Sequence, residues 1–167
     1  KLVNEFSNFA RMPRPILKKV DIINLINKSL DFIKLTSKNS IKLFNGTKNQ
    51  FIIGDEDQLN RVFINLIKNS EESFSEKLQK EPNFKGNIDI EIDDNNDYII
   101  IKITDNGTGI IDAKKAMTPY FTTKKTGTGL GLPIVTKIIN EHSGNFSIKN
   151  QKGKSGSLVT ITLPKYA

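Results

Sequence analysis

Two glycine clusters and a pair of asparagines carry the chemistry that can be read from this chain. Asp105-Asn106-Gly107-Thr108-Gly109 follows a strongly apolar strand pattern. A carboxylate at such a strand end, next to glycines that admit close approach of backbone, can accept a hydrogen bond from the exocyclic amine of adenine. Gly127-Thr128-Gly129-Leu130-Gly131-Leu132 opens a helix pattern. The first-turn amides of a helix are free and its N-terminal end is positive, which makes an anion site. Between the clusters runs Pro119-Tyr120-Phe121-Thr122-Thr123-Lys124, which offers hydroxyl donors and one cation. Upstream, Asn65 and Asn69 stand one helical turn apart on the edge of the apolar stripe Leu59, Val62, Phe63, Leu66 and Ile67. A carboxamide oxygen can ligate Mg²⁺, and its NH₂ can donate to a phosphate. Any one of these strings has a bland reading as turn or edge polarity. Strand, acidic turn, long loop and glycine-rich helix start, in that order, describe a nucleotide pocket with a lid.

The elements that must position these residues follow from periodicity. Leu2, Val3, Phe6 and Ala10 have helical spacing over residues 1–11, ahead of Pro13 and Pro15. A second helix is predicted over 21–35, with Asp21 as N-cap and Ile22, Ile23, Ile26, Leu30 and Ile33 on one side. Two short strands follow, Ile41–Phe44 and Gln50–Ile53, joined by a turn containing Asn45-Gly46. The helix bearing the two asparagines starts near Asp55, with Gln58 completing a capping box, and runs to about Ser75; residues 77–87 read as a loop. Ile88, Ile90 and Ile92 alternate with acidic residues as a half-buried strand, and Tyr98–Thr104 is apolar enough to be central. A helix over Leu130–His142 ends at Gly144, and strands at Asn145–Lys149 and Ser157–Leu163 close the chain. The fold class is an α/β (α+β) two-layer sandwich, with helices on one face of a mixed, mainly antiparallel sheet.

Composition narrows the function. The 167 residues contain no cysteine, which removes disulfides, thiolate metal sites and thiol nucleophiles together. The net charge of +7 comes from dispersed lysine rather than clustered arginine with interleaved aromatics, so nucleic acid is not the expected partner. No apolar run approaches the ~20 residues of a membrane helix. The chain starts at Lys1 without a signal-peptide pattern and reads as a piece of a longer protein. Gly153-Lys154-Ser155 is not a P-loop, because Ile148 occupies the place of that motif's first glycine. His142, the sole histidine, sits at a helix C-terminus, where a structural role is expected.

Taken together, Asn65-Leu66-Ile67-Lys68-Asn69, Asp105-x-Gly107-x-Gly109, Tyr120-Phe121-Thr122-Thr123-Lys124 and Gly127-x-Gly129-Leu130-Gly131-Leu132 resemble the N, G1, F and G2 boxes of bacterial sensor histidine kinases. The likeness covers about residues 16–167, the catalytic ATP-binding domain. Residues 1–12 resemble the end of the second helix of the dimerisation and phosphoacceptor hairpin, with 13–15 as linker and a lid at about 107–128. The wording is most similar to the nitrogen-regulation NtrY/NtrB type. The resemblance implies the Bergerat-type ATP-binding sandwich shared with Hsp90, MutL and gyrase B, and ATP with Mg²⁺ as cofactors. It implies Asn69 for the metal, Asn65 near the phosphates and Asp105 for the adenine. Gly107 and Gly109 would shape the adenine end. Thr123, Lys124, Gly127, Thr128, Gly129, Leu130 and Gly131 would shape the phosphate end, with Lys68 or Lys124 at the γ-phosphate. Where many such kinases carry a basic residue three positions after the metal asparagine, this chain has Glu72.

The partners implied are a phosphoacceptor histidine on the hairpin domain of the same full-length protein, itself a homodimer, and the receiver domain of a response regulator. The location implied is a cytoplasmic domain of a protein anchored in the inner membrane. Hsp90-like ATPases place a water-activating Glu four residues before the metal asparagine. This chain has Asn65 there, and a neutral amide cannot deprotonate water. Phosphoryl transfer to a protein nucleophile is therefore the expected reaction, ahead of a regulatory nucleotide-binding module without transfer activity or an Hsp90/MutL-like ATPase.

Overall fold

A computed structural model describes residues 10–111, 117 and 131–167. The expected helix over residues 1–11 therefore lies almost wholly outside the described residues. So do the Tyr120–Lys124 box, the segment Gly127–Leu130 and most of the expected lid.

Ten elements are described. In chain order they are β1 (Lys18–Asp21), α1 (Ile22–Lys34), β2 (Ser40–Asn45), β3 (Phe51–Gly54), α2 (Glu56–Lys80), β4 (Asn87–Asp94), β5 (Tyr98–Asp105), α3 (Gly131–Glu141), β6 (Asn145–Asn150) and β7 (Ser157–Pro164). Five strands form one sheet in the order β2-β4-β5-β7-β6, parallel only at β2–β4 and antiparallel elsewhere. The apolar run Tyr98–Thr104 thus lies in the middle of the sheet, as its composition predicts.

Register explains the core. Ile90, Ile103 and Val159 align across β4, β5 and β7, as do Ile92, Ile101 and Ile161. All six side chains are buried on one face. That face is covered by Leu25, Ile26 and Leu30 of α1, by Leu59, Val62, Phe63, Leu66, Ile67 and Phe74 of α2, and by Ile134, Val135, Ile138 and Ile139 of α3. Each fully buried aliphatic side chain contributes about 1.5–3 kcal/mol of transfer free energy. The opposite face carries the alternate residues, with Lys102 opposite Glu91 and Thr160.

The two short strands joined at Asn45-Gly46 do not pair with each other. β2 joins the main sheet beside β4, and β3 pairs antiparallel with β1, a strand that periodicity does not reveal because its sequence is Lys-Lys-Val-Asp. The chain is steered away from a hairpin at Gly46, whose N–H donates to Ile92 O at 2.7 Å and ties the end of β2 to β4. The asparagine helix also runs one turn beyond its predicted end. Its last turns are held by buried Phe74 and by Lys77, which reaches Asn106 O at 3.0 Å, and both contacts are tertiary. α3 ends in a Schellman arrangement, with Gly144 N–H donating to Ile139 O and Ser143 N–H to Asn140 O, each at 3.0 Å. Its left-handed residue is Ser143 (φ 57°) rather than the expected Gly144.

One polar knot joins the helix termini. Asp55 caps α2 by accepting the Gln58 N–H at 3.1 Å through Oδ1, and accepts the Ile16 N–H at 2.9 Å through Oδ2. Its own N–H donates to Nε2 of buried His142 at 2.9 Å, and Nδ1 of that ring donates to Ile138 O at 2.7 Å. Both ring nitrogens are engaged, and His142 has the structural role expected of it. Partial burial pushes the Asp55 carboxyl upward, but the Ile16, Gln58 and Asp57 amides and the field of His142 outweigh it and hold the pKa below the ordinary aspartate value. A depressed folded-state pKa means that the Asp55 contribution is complete above the unfolded value, about 3.9, and is lost as pH falls through the folded one. Asn caps as well as Asp, so Asp55→Asn removes the titration and keeps the cap. The variant is expected to lose stability less steeply than the wild type below about pH 4, measured as urea midpoints across pH 2–6.

Candidate nucleotide site

The site is built where β5 ends. Asp105 is its last residue and is buried, although a carboxylate is seldom fully buried unless it is partnered. Four donors meet it. Gly107 N–H and Ser157 N–H donate to Oδ1 at 2.9 and 3.3 Å, and the hydroxyls of Ser70 and Ser157 donate to Oδ2 at 3.0 and 2.6 Å. These come from the turn itself, from α2 and from the start of β7, so one side chain joins three elements. Two glycines make the geometry possible. A Cβ on Gly156 (φ 114°) would overlap Asp105 O, and one on Gly107 would overlap the Ser73 hydroxyl.

α2 supplies the other wall. Asn65 and Asn69 are both half-buried on one edge of the helix, while Lys68 between them is exposed. The stripe continues at the same spacing. Ser73 Oγ accepts the Thr108 N–H at 2.7 Å, and Lys77 Nζ donates to Asn106 O and to Ser155 Oγ, both at 3.0 Å. The spacing i, i+4, i+8, i+12 thus lays the asparagines first along one helix edge and the turn-holding groups after them. A Cβ on Gly131, the first residue of α3, would come within 3.8 Å of both Oδ1 and Nδ2 of Asn69. The N-terminal end of α3 therefore faces the Asn69 carboxamide.

The structure thus brings Asn69 and Gly131 together, and sets Asp105, Gly107 and Gly109 on a turn strapped to the same helix. Thr123, Lys124, Gly127, Thr128, Gly129 and Leu130 lie outside the described residues. Sequence reasoning missed Ser70, Ser73, Lys77 and Ser157. Ser70 carried a signal, because a serine between Leu66 and Phe74 at the core spacing needs a buried partner. Ser157 carried none beyond its place at a strand start.

Among the described residues no group of His, Cys, Asp and Glu could hold a metal ion. Among the described residues the Asn69 amide oxygen, beside Gly131, is one oxygen donor that could serve. That suits a hard cation such as Mg²⁺, which takes few protein ligands and completes its shell with phosphate oxygens and water.

A mainly antiparallel sheet with helices on one face, and a glycine turn at the end of its central strand, make a two-layer α/β sandwich. Residues 54–167 match the family model described as histidine kinase-, DNA gyrase B-, and HSP90-like ATPase. The chain belongs to that family. It is 36% identical over 163 residues to an NtrY-like sensor histidine kinase of Rickettsia conorii, covering 96% of this chain and 26% of that protein. The chain thus spans about a quarter of the length of the curated relatives it matches. The solved catalytic domain of histidine kinase ThkA superposes with a TM-score of 0.76 at 25% identity, covering 89% of this chain and 95% of that one. ThkA in complex with the response regulator protein TrrA has the same fold, with a TM-score of 0.79 at 19% identity over 99% of this chain and 46% of that one.

Replacing Ser157 by Ala removes the shortest of the four bonds to Asp105. A buried carboxylate left with one donor fewer is expected to cost about 1–3 kcal/mol of stability, read as a lower urea midpoint at unchanged m-value.

Proposed function

We propose that this chain is the catalytic domain of a sensor histidine kinase, moving the γ-phosphoryl of Mg·ATP to a histidine on the hairpin domain of its full-length protein. The bond between the γ-phosphorus and the β,γ-bridging oxygen breaks, a phosphorus–nitrogen bond forms, and ADP leaves. A response-regulator aspartate then takes the phosphoryl group; a pairing of kinase and regulator is supported by the structure of ThkA in complex with the response regulator protein TrrA. A start of the domain near residue 16 is supported by the bond from Ile16 N–H to Asp55.

The observation that carries the reading is the buried, four-donor carboxylate of Asp105 on a turn strapped to the helix that bears Asn65 and Asn69. Asp105 accepts the adenine amine, and Gly107 and Gly109 let the base approach the backbone. Asn69 holds Mg²⁺ through its amide oxygen, Asn65 lies by the phosphates, and the N-terminal end of α3 at Gly131 supports their charge. Gly127, Thr128, Gly129 and Leu130 complete the phosphate end, with Thr123 and Lys124 as donors. The γ-phosphate cation is Lys68 or Lys124. Asn65 cannot act as a base toward water, which favours transfer over hydrolysis. Catalysis of this kind rests on positioning and charge, with the nucleophile supplied by another domain. The chain's own histidine cannot serve, since both nitrogens of His142 are occupied in a buried knot.

Calorimetric titration with ATP and Mg²⁺ is expected to show saturable binding that prefers ATP over GTP and is lost in Asp105→Asn. The chain alone is expected not to label itself with γ-phosphate, and to label a supplied hairpin domain. Steady ATP turnover without an acceptor would instead place the chain with the hydrolytic ATPases.

A further inference from the structure

We propose that the loop joining β6 to β7 is a bracket that positions the nucleotide turn, with Asn150 and Gln151 as its positioning residues. The proposal rests on the ATP-binding reading of Asp105–Gly109. Asn150 closes β6 and makes a two-bonded contact with one residue of the turn. Ile110 N–H donates to its Oδ1 at 2.7 Å, and its Nδ2 donates to Ile110 O at 2.7 Å. A neighbouring strand would offer the same donor and acceptor pair, so the side chain extends the sheet's bonding past the end of β5. Gln151 Nε2 donates to Asp105 O at 2.7 Å and to Ser155 O at 3.4 Å, and Gln151 N–H donates to Gly156 O at 3.0 Å. The Ser155 hydroxyl donates to Gly107 O, and Lys77 holds both Ser155 Oγ and Asn106 O. Carbonyls of residues 105, 106, 107 and 110 are thereby all taken by side chains from outside the turn.

Exposure separates this bracket from ordinary hydrogen-bond satisfaction. The Asn150–Ile110 pair lies at the surface, where water could serve both backbone groups. What the side chains add is a single fixed geometry. Gly109 is fitted to the bracket, because it has φ 79° and a Cβ there would lie 2.5 Å from Asn150 Oδ1. A turn fixed in advance does not have to be ordered when a ligand arrives, and binding is correspondingly tighter. The loop that looked like a failed phosphate motif thus acts at the adenine end, through its amides and hydroxyl rather than its lysines.

The test compares ATP–Mg²⁺ affinity by calorimetry with the melting temperature of the nucleotide-free chain for the wild type, Asn150→Ala, Asn150→Asp, Gln151→Ala and Lys154→Ala. Asn150→Ala and Gln151→Ala are expected to weaken ATP about fivefold to tenfold, the size of one net hydrogen bond, with melting temperatures close to wild type. Asn150→Asp has the same shape but sets a carboxylate against Ile110 O, so it should bind as weakly as Asn150→Ala; a side chain that only filled space would be rescued by it. Lys154→Ala, outside the bracket, should match the wild type. Unchanged affinity in the Asn150 and Gln151 variants, or losses that merely follow a large drop in melting temperature, would overturn the bracket while leaving the ATP reading intact. Absence of ATP binding by a folded wild type would overturn the reading and the bracket together.

Discussion

A carboxylate at the end of the central strand, held by donors from three elements, is the constraint around which the domain is arranged. Burying Asp105 without partners would be prohibitive, since an ionised group loses most of its hydration there. Its donors therefore dictate residues that would otherwise be apolar or larger: Ser70 within the α2 core stripe, Ser157 at the start of β7, and glycines at 107 and 156 where side chains would collide. The same bonds lock the junction of strand, helix and turn. Under the proposed reading the group that recognises adenine is also the group that fixes the walls around it, so recognition and stability are not separable at this position.

α2 is the ruler of the site. Its buried stripe sits on the isoleucine face of the sheet, and the adjacent polar stripe, Asn65, Asn69, Ser73 and Lys77, runs along one edge of the helix to the turn after β5. Because these residues share one rigid helix, the spacing between the asparagines and the turn is set by helical rise rather than by loop conformation. α3 meets this ruler at Gly131 beside Asn69, and at its far end His142 joins Asp55 at the start of α2. α3 thus meets α2 at the N-terminal cap of α2 and again beside Asn69. Under the proposed reading, Asn65 in place of a carboxylate on that ruler would leave the phosphoryl group for a protein nucleophile rather than for an activated water.

Much of this was legible in the sequence because it depends on short-range periodicity. The α2 stripe, the alternation of Ile88, Ile90 and Ile92, the apolar run of β5 and the caps at Asp21 and Asp55 follow from side-chain direction within one element. The order of the glycine clusters and paired asparagines was equally a property of the chain. What escaped was set by contacts between distant segments. β1 is a strand only because β3 lies beside it, and β2 takes β4 rather than β3 because Gly46 is bonded to Ile92. The last turns of α2 have polar, weakly patterned residues and are held through tertiary contacts, the burial of Phe74 and the bond from Lys77 to Asn106 O.

The sequence by itself determined the residue types that can do chemistry, their order, and the elements that carry them, because amphipathic period and turn preference are local. Only the tertiary structure decided which groups meet. Ser70 reaches Asp105 across 35 positions, Ser157 across 52, and Asn150 reaches Ile110 across 40. Nothing local to any of these residues specifies its partner. Each pairing follows from strand order and register in the sheet, which are fixed by where the whole apolar face can be buried.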